Sequence, residues 1–209
     1  MISLFLDTAT TRLTVALYKN GKLLDLIEEE NNNQLSERLL PTIDLLLNKT
    51  NLELSDLDEI IVVNGPGSFT GIRIGVTVAK TLAFSLHIPI KTISELSVLA
   101  TTPVSTTYVC PYIDARRDAI YTGLYDQFLT SMVEDQYRDI EDWRKQLNSK
   151  TCMDHITWVG NGIEKSISPK VDYQRLSNLF RFLDIINPHL VNPNYLKKTE
   201  AEEKLSGSH

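Results

Sequence analysis

The chain has 209 residues, 42% of them apolar, and a formal net charge of −6, enough for a packed core in one large domain or two small ones. A pI near 5.2 argues against a surface built to grip RNA, because phosphate binding relies on clustered Lys and Arg. Met1–Leu6 is too short and lacks the basic flank of a signal peptide. Thr81–Ile90 is broken by Ser85, His87 and Pro89, so no membrane span is expected, and a cytoplasmic location is. Two distant cysteines, Cys110 and Cys152, imply neither a disulfide framework nor a cysteine metal site. Cys110, within Tyr108-Val109-Cys110-Pro111-Tyr112, reads as a buried core residue.

Ser3–Asp7, Leu13–Lys19 and Lys22–Glu29 read as three strands, the last two joined at Asn20-Gly21, a strong hairpin signal. Asn31-Asn32-Asn33 breaks the pattern and is expected to cap a helix over Gln34–Lys49. Leu35, Leu39, Ile43 and Leu46 line one face of that helix, and Pro41 should kink it or end its first turn. Ile60–Asn64 is a buried strand. Asn64-Gly65-Pro66-Gly67-Ser68-Phe69-Thr70-Gly71 then turns the chain sharply into a helix over Thr70–Leu86, with Ser68 and Thr70 as candidate caps. The turn fits no common phosphate loop. No Lys-Ser or Lys-Thr follows Gly71, and Thr70 takes the third glycine position of the dinucleotide fingerprint. Along the helix Gly71, Gly75, Ala79 and Ala83 recur every four residues. Such a stripe lets another backbone come close, either the chain's own sheet or a partner's helix.

Ile90–Ile93 is a short strand and Ser94–Ala100 a helix capped by Ser94. Thr101–Thr107, polar and rich in small residues, is the candidate boundary. Beyond it, Tyr108–Ile113 and Ala119–Tyr125 read as a hairpin around Asp114-Ala115-Arg116-Arg117-Asp118, with Asp114 pairing an arginine across the turn. Glu134–Asn148 reads as a charged, solvated stretch, and Thr157–Val159 as a strand ended by Gly160-Asn161-Gly162.

Gly65-Pro66-Gly67-Ser68-Phe69-Thr70-Gly71-Ile72-Arg73-Ile74-Gly75 resembles the signature segment of the TsaB (YeaZ) family of bacterial tRNA-modification proteins. Leu4–Thr10, Asp114–Arg117 with Ala119-Ile120-Tyr121, and Asn192-Pro193-Asn194-Tyr195-Leu196 are similar to further family segments. The resemblance covers residues 2–126 and returns near the end. Together with the order of elements, it points to an α/β, ribonuclease-H-like fold of the actin, sugar-kinase and Hsp70 superfamily in two small subdomains. The expected division is 1–103, carrying partner-binding helices, then 104–189, then 190–209 returning to the first unit with a frayed tail.

Asp7-Thr8-Ala9-Thr10-Thr11 sits where ATPases of this superfamily carry an acidic, glycine-bearing phosphate loop. Here Ala9 replaces the glycine, so a phosphate approaches less easily. Asp7, Thr8, Thr10, Gly65 and Gly67 are the candidate nucleotide-binding residues; a plain hairpin turn explains the same letters. The related catalytic family, TsaD, holds its metal through two histidines on the first helix. The matching helix here has none, and His87, His155, His189 and His209 form no i, i+4 pair. No metal site and no catalytic residue is therefore expected. No nucleophile elbow is present either.

The resemblance implies a non-catalytic scaffold required, with TsaD and TsaE, for threonylcarbamoyl transfer to adenosine 37 of tRNAs reading codons that begin with A. TsaD would bind directly, TsaE through the complex, and a homodimer would form when the chain is alone. No cofactor would be held stably; ATP or ADP would lie at the partner interface. Strong direct nucleic-acid or membrane binding is not expected. The partner face is expected at Leu35, Arg38, Leu39, Thr42, Gly71, Arg73, Gly75, Ala79 and Ala83. The alternative is a nucleotide-dependent enzyme, a small kinase or ATPase of the actin-like superfamily; a weaker third reading is a metallopeptidase.

Overall fold

The computed structural model describes residues 1–30, 34–150 and 155–197. Asn31–Asn33, Cys152 and the tail from Lys198 lie outside them. β1 (Ile2–Asp7), β2 (Arg12–Lys19), β3 (Lys22–Glu30), β4 (Glu59–Gly65), β5 (Ile90–Ser94) and β10 (Ile185–Ile186) form one sheet in the order β10-β5-β4-β1-β2-β3. β1, β4 and β5 run parallel at its centre, and β2 and β10 are antiparallel to their neighbours β1 and β5. The middles of β1 and β4 are continuously apolar (Leu4–Leu6 and Ile60–Val63) because both faces are covered, and the buried Lys91 of β5 is paired with Glu59 of β4. The β2–β3 hairpin turns at Asn20 (φ 53°) and Gly21 (φ 76°), the left-handed pair such a two-residue turn requires.

Three antiparallel strands followed by helix-linked parallel strands make the ribonuclease-H-like, actin-type α/β fold. α1 (Leu35–Lys49) packs on β2 and β3, and α2 (Phe69–Leu86) on β4, β1 and β5. Gln34, with no side-chain cap, precedes α1. The helix runs on through Pro41; both Pro41 and Glu37, whose carbonyl loses its donor there, are exposed, so water can satisfy it. α2 has the length and apolar composition of a membrane span, unlike the expectation from Thr81–Ile90. Its apolar character is that of a core-facing helix, since Gly71, Ile72, Gly75, Val76, Ala79 and Ala83 are buried.

A second sheet has the order β8-β7-β6-β9, from β6 (Tyr108–Asp114), β7 (Ala119–Asp126), β8 (Ser131–Asp139) and β9 (Ile156–Val159). The stretch expected to be solvated instead supplies β8 and α4 (Ile140–Lys150). Trp143 and Leu147 are fully enclosed against Cys110, Tyr112, Ile120 and Trp158. These two apolar residues four apart, with Ile140 partly buried beside them, seat a helix whose other positions are polar or charged. At the β6–β7 turn the Asp114 carboxylate accepts the Arg116 backbone N–H (2.8 Å).

The sheets meet at α3 (Glu95–Leu99), whose Leu96, with Ala100, packs against Val109, Tyr125 and Val159. The chain rejoins the first sheet earlier than Leu190. Val171, Tyr173 and Leu176 of α5 (Tyr173–Leu176) and its approach, with Phe180, cover the face of β1 and β2 bearing Phe5 and Tyr18. The aromatic sequence Tyr173…Phe180 fits an aromatic-bearing sheet face.

Candidate functional site

The carboxyl ends of β1, β4 and β5 converge where open α/β sheets place their ligands. The residues singled out in the glycine turn and the β1–β2 loop meet there. Ser68 caps α2, its hydroxyl accepting from the Gly71 N–H (3.2 Å); Thr70 does not serve as the cap. The Ser68 N–H donates to the Ala9 carbonyl (2.7 Å), and the Thr8 hydroxyl donates to the Gly71 carbonyl (2.8 Å). A β-carbon at Gly67 would overlap the Ala9 carbonyl oxygen, one at Gly71 the Thr8 carbonyl oxygen, and one at Gly75 the Thr8 hydroxyl. Gly65, at φ +124°, would place a β-carbon 2.7 Å from the Asn194 carbonyl oxygen.

The glycines therefore admit the chain's own backbone. Asn194 donates its N–H to the Asn64 carbonyl (2.7 Å), and the Asn64 amide donates to the Asn192 carbonyl (3.3 Å). The segment after β10 then lies along α2: the Lys80 ammonium donates to the carbonyls of Val191 (2.8 Å) and His189 (3.3 Å). Tyr195 stacks on Phe69 with centroids 5.2 Å apart, and Arg73 lies over the Phe69 ring.

The five candidate nucleotide residues come together, but each is engaged. Asp7 accepts the Ala9 N–H (2.8 Å), Thr10 accepts the Arg12 N–H (3.1 Å), and Thr8, Gly65 and Gly67 make the contacts above. A phosphate at the start of α2 would compete with the Ala9 carbonyl for the Ser68 N–H. Sequence reading missed Glu95, which the fold sets beside Asp7. Both are buried (1% and 4% exposed), and each carboxyl lies close enough to shift the other's ionisation. Burial, foremost, raises Asp7 to about 6. Glu95 is held well above its ordinary value by burial and then by the Asp7 charge. A glutamate at the first position of a short helix is the cue, although sequence alone gives no distance to Asp7.

The expected partner face needs correction. Leu35, Leu39, Thr42, Gly71, Gly75, Ala79 and Ala83 are buried in the chain's own core. The small-residue stripe belongs to the α2–sheet contact, where Thr8 approaches it. Arg38 and Arg73 alone of that set are exposed, Arg38 paired with Glu29 and Arg73 set over Phe69. Among the described residues no group of three or more His, Cys, Asp or Glu is placed to hold a metal ion.

The chain is 33% identical to the tRNA threonylcarbamoyladenosine biosynthesis protein TsaB of Bacillus subtilis over 228 aligned positions, covering 98% of this chain and 97% of that protein. It belongs to the TsaB family. A TsaB protein from Buchnera aphidicola subsp. Schizaphis graminum is 29% identical, with 87% and 92% covered. A family model described as TsaD, tRNA N6-adenosine threonylcarbamoyltransferase, matches residues 27–173. The solved structure of a Pseudomonas aeruginosa protein, described as uncharacterized with similarity to peptidase YEAZ, superposes with a TM-score of 0.77. It is 26% identical, and the match covers 94% of this chain and 99% of that one. The YeaZ structure from the same organism gives 0.74 at 27% identity, with 93% and 99% covered. The glycine turn that carries the TsaB resemblance is thus the same element that closes the strand ends.

Proposed function

We propose that this chain is a non-catalytic subunit acting with TsaD and TsaE in threonylcarbamoyl transfer to adenosine 37 of tRNAs that read codons beginning with A. One observation carries the reading: the crevice at the strand ends is filled by the chain itself. The Thr8 and Ala9 carbonyls lie on Gly71 and Gly67, and Asn194 lies on Gly65. Relatives named for threonylcarbamoyladenosine biosynthesis support the pathway. TsaD binds directly on the outward sides of α1 and α2, where Arg38, Leu40, Leu45, Phe69 and Arg73 are exposed. TsaE joins through the complex. The chain pairs with itself through the same sides when TsaD is absent. ATP or ADP lies at the partner interface, and tRNA is held mainly by the partner, given a net charge of −6 here. The complex works in the cytoplasm.

The test measures ATP turnover and nucleotide binding by the purified chain alone, then with the host TsaD and TsaE homologues. The expected outcome is no turnover by the chain alone and turnover by the assembled complex. Stoichiometric binding with turnover by the chain alone would overturn the proposal and favour the small-kinase or ATPase reading.

A further inference from the structure

Asp7 and Glu95 pose a problem that the scaffold reading does not address. Asp7 ends β1 and Glu95 opens α3, so the pair joins the centre of the first sheet to the helix that contacts the second. Both side chains are shut away from solvent, and no donor reaches Glu95 Oε2 from the described residues. Ionised carboxylates only accept hydrogen bonds, so two of them in contact need a proton between them or a cation beside them.

Among the described residues, no free cation is placed beside the pair. Glu28 of β3 adds negative charge, and its own partners are Arg12 at 3.1 Å and the Tyr173 hydroxyl at 3.0 Å. Tyr173, from α5, faces Asp7 and Glu28 as a neutral phenol, with its ionisation pushed up foremost by burial. Lys91 of β5 is committed to Glu59 at 2.8 Å and to the Phe180 carbonyl at 3.0 Å. On the second sheet, Asp135 of β8 accepts from Ser94, the residue before Glu95, and from the Tyr125 hydroxyl at 2.5 Å.

We infer that Asp7 and Glu95 share one proton at neutral pH, and that this proton ties β1 to α3 and makes the seam between the two sheets pH-sensitive. The donor that Glu95 Oε2 lacks is the hydrogen of the neighbouring carboxyl. When that proton leaves, two charges face each other in a closed space, and the cheapest relief is for α3 to move away from β1. The inference does not rest on the partner-subunit reading and survives if that reading fails.

The direction of the pH effect follows from linkage. Carboxyls raised above their unfolded values bind more protons in the folded than in the unfolded state. Their contribution to stability is full at acid pH and is lost as pH rises through the folded pKa, from about 4 to about 6 for Asp7 and over a range well above its ordinary value for Glu95. Asp135, also raised by burial, adds to the slope independently.

The experiment records melting temperature from about pH 5 to about pH 8 for the wild type, Glu95→Gln and Asp7→Asn. Wild type should fall by roughly 5 °C or more over that range, and each variant by distinctly less, because its amide donates what the proton donated. Parallel profiles in all three would overturn the inference. Infrared spectra of the wild type at neutral pH provide a readout that needs no variant: the stretch of a protonated carboxyl should be present, and its absence would contradict the proposal. A saturable rise in melting temperature with Mg²⁺ or Ca²⁺ at neutral pH, abolished in Glu95→Gln, would show a cation in the proton's place and equally overturn it.

Discussion

Thr8 shows how one residue decides what a surface can do. Its carbonyl and hydroxyl lie against Gly71 and Gly75, where any β-carbon would overlap them, and its hydroxyl donates to the Gly71 carbonyl at 2.8 Å. Gly75→Ala must therefore push α2 off β1 or rotate Thr8 out of its hydrogen bond. Overpacking of this kind costs about 1–3 kcal/mol, read as a lowered melting temperature in a calorimetric scan. Ala79→Leu, at a position with no exposed surface, should also lose stability by a similar amount. If Ala79→Leu melted like the wild type yet lost partner binding, the stripe would be an interface after all. Cys110 offers a second check: burial pushes its thiol up to about 11, and the Trp143 indole N–H donates to its sulfur at 3.2 Å. In a Cys152→Ser background, iodoacetamide should leave the native protein unlabelled near pH 8 and label it once unfolded. Rapid labelling of the native chain would contradict this packing.

At the scale of elements, α4 is held chiefly by the fully buried Trp143 and Leu147, with Ile140 partly buried beside them, among polar and charged residues. Truncating Trp143 to Ala should cost about 3–5 kcal/mol and expose Cys110 to the same reagent; a loss below 1 kcal/mol would mean that the second sheet does not depend on the helix. This element was the least legible in the sequence. A narrow buried face leaves a charged composition that reads as solvent-facing, and the neighbouring β8 is mostly polar. The opposite holds for β1, β4 and α1, whose continuous or periodic apolar residues announced both type and position. The hairpin at Asn20-Gly21 was legible because positive φ at both residues has few alternative sequences. The glycine turn was legible as a site of close approach, but not as to what approaches. Three of its glycines receive residues distant in sequence, Asn194 on Gly65, Ala9 on Gly67 and Thr8 on Gly71, and such pairings have no local periodicity. Glu95 stayed hidden for the same reason, its partner lying at the end of another strand.

For the whole molecule, the outward sides of α1 and α2 stay exposed beside the segment clasping α2, and they are the surface proposed above for TsaD. Exposed Leu40, Leu45, Phe69 and Phe84 punctuate those sides, in a protein whose acidic charge disfavours nucleic acid. By itself the chain should bind tRNA no more tightly than the non-specific range of about 10⁻⁴ to 10⁻⁶ M at physiological salt. The most direct measurement is the affinity of the host TsaD homologue for the wild-type chain and for Leu45→Glu, with melting temperatures alongside. The account predicts a one-to-one complex with the wild type, weakened at least about ten-fold, or about 1.4 kcal/mol, by Leu45→Glu at an unchanged melting temperature. No complex with the wild type, or equal affinity for outward-face variants on both helices (Leu45→Glu and Arg73→Glu), would contradict it.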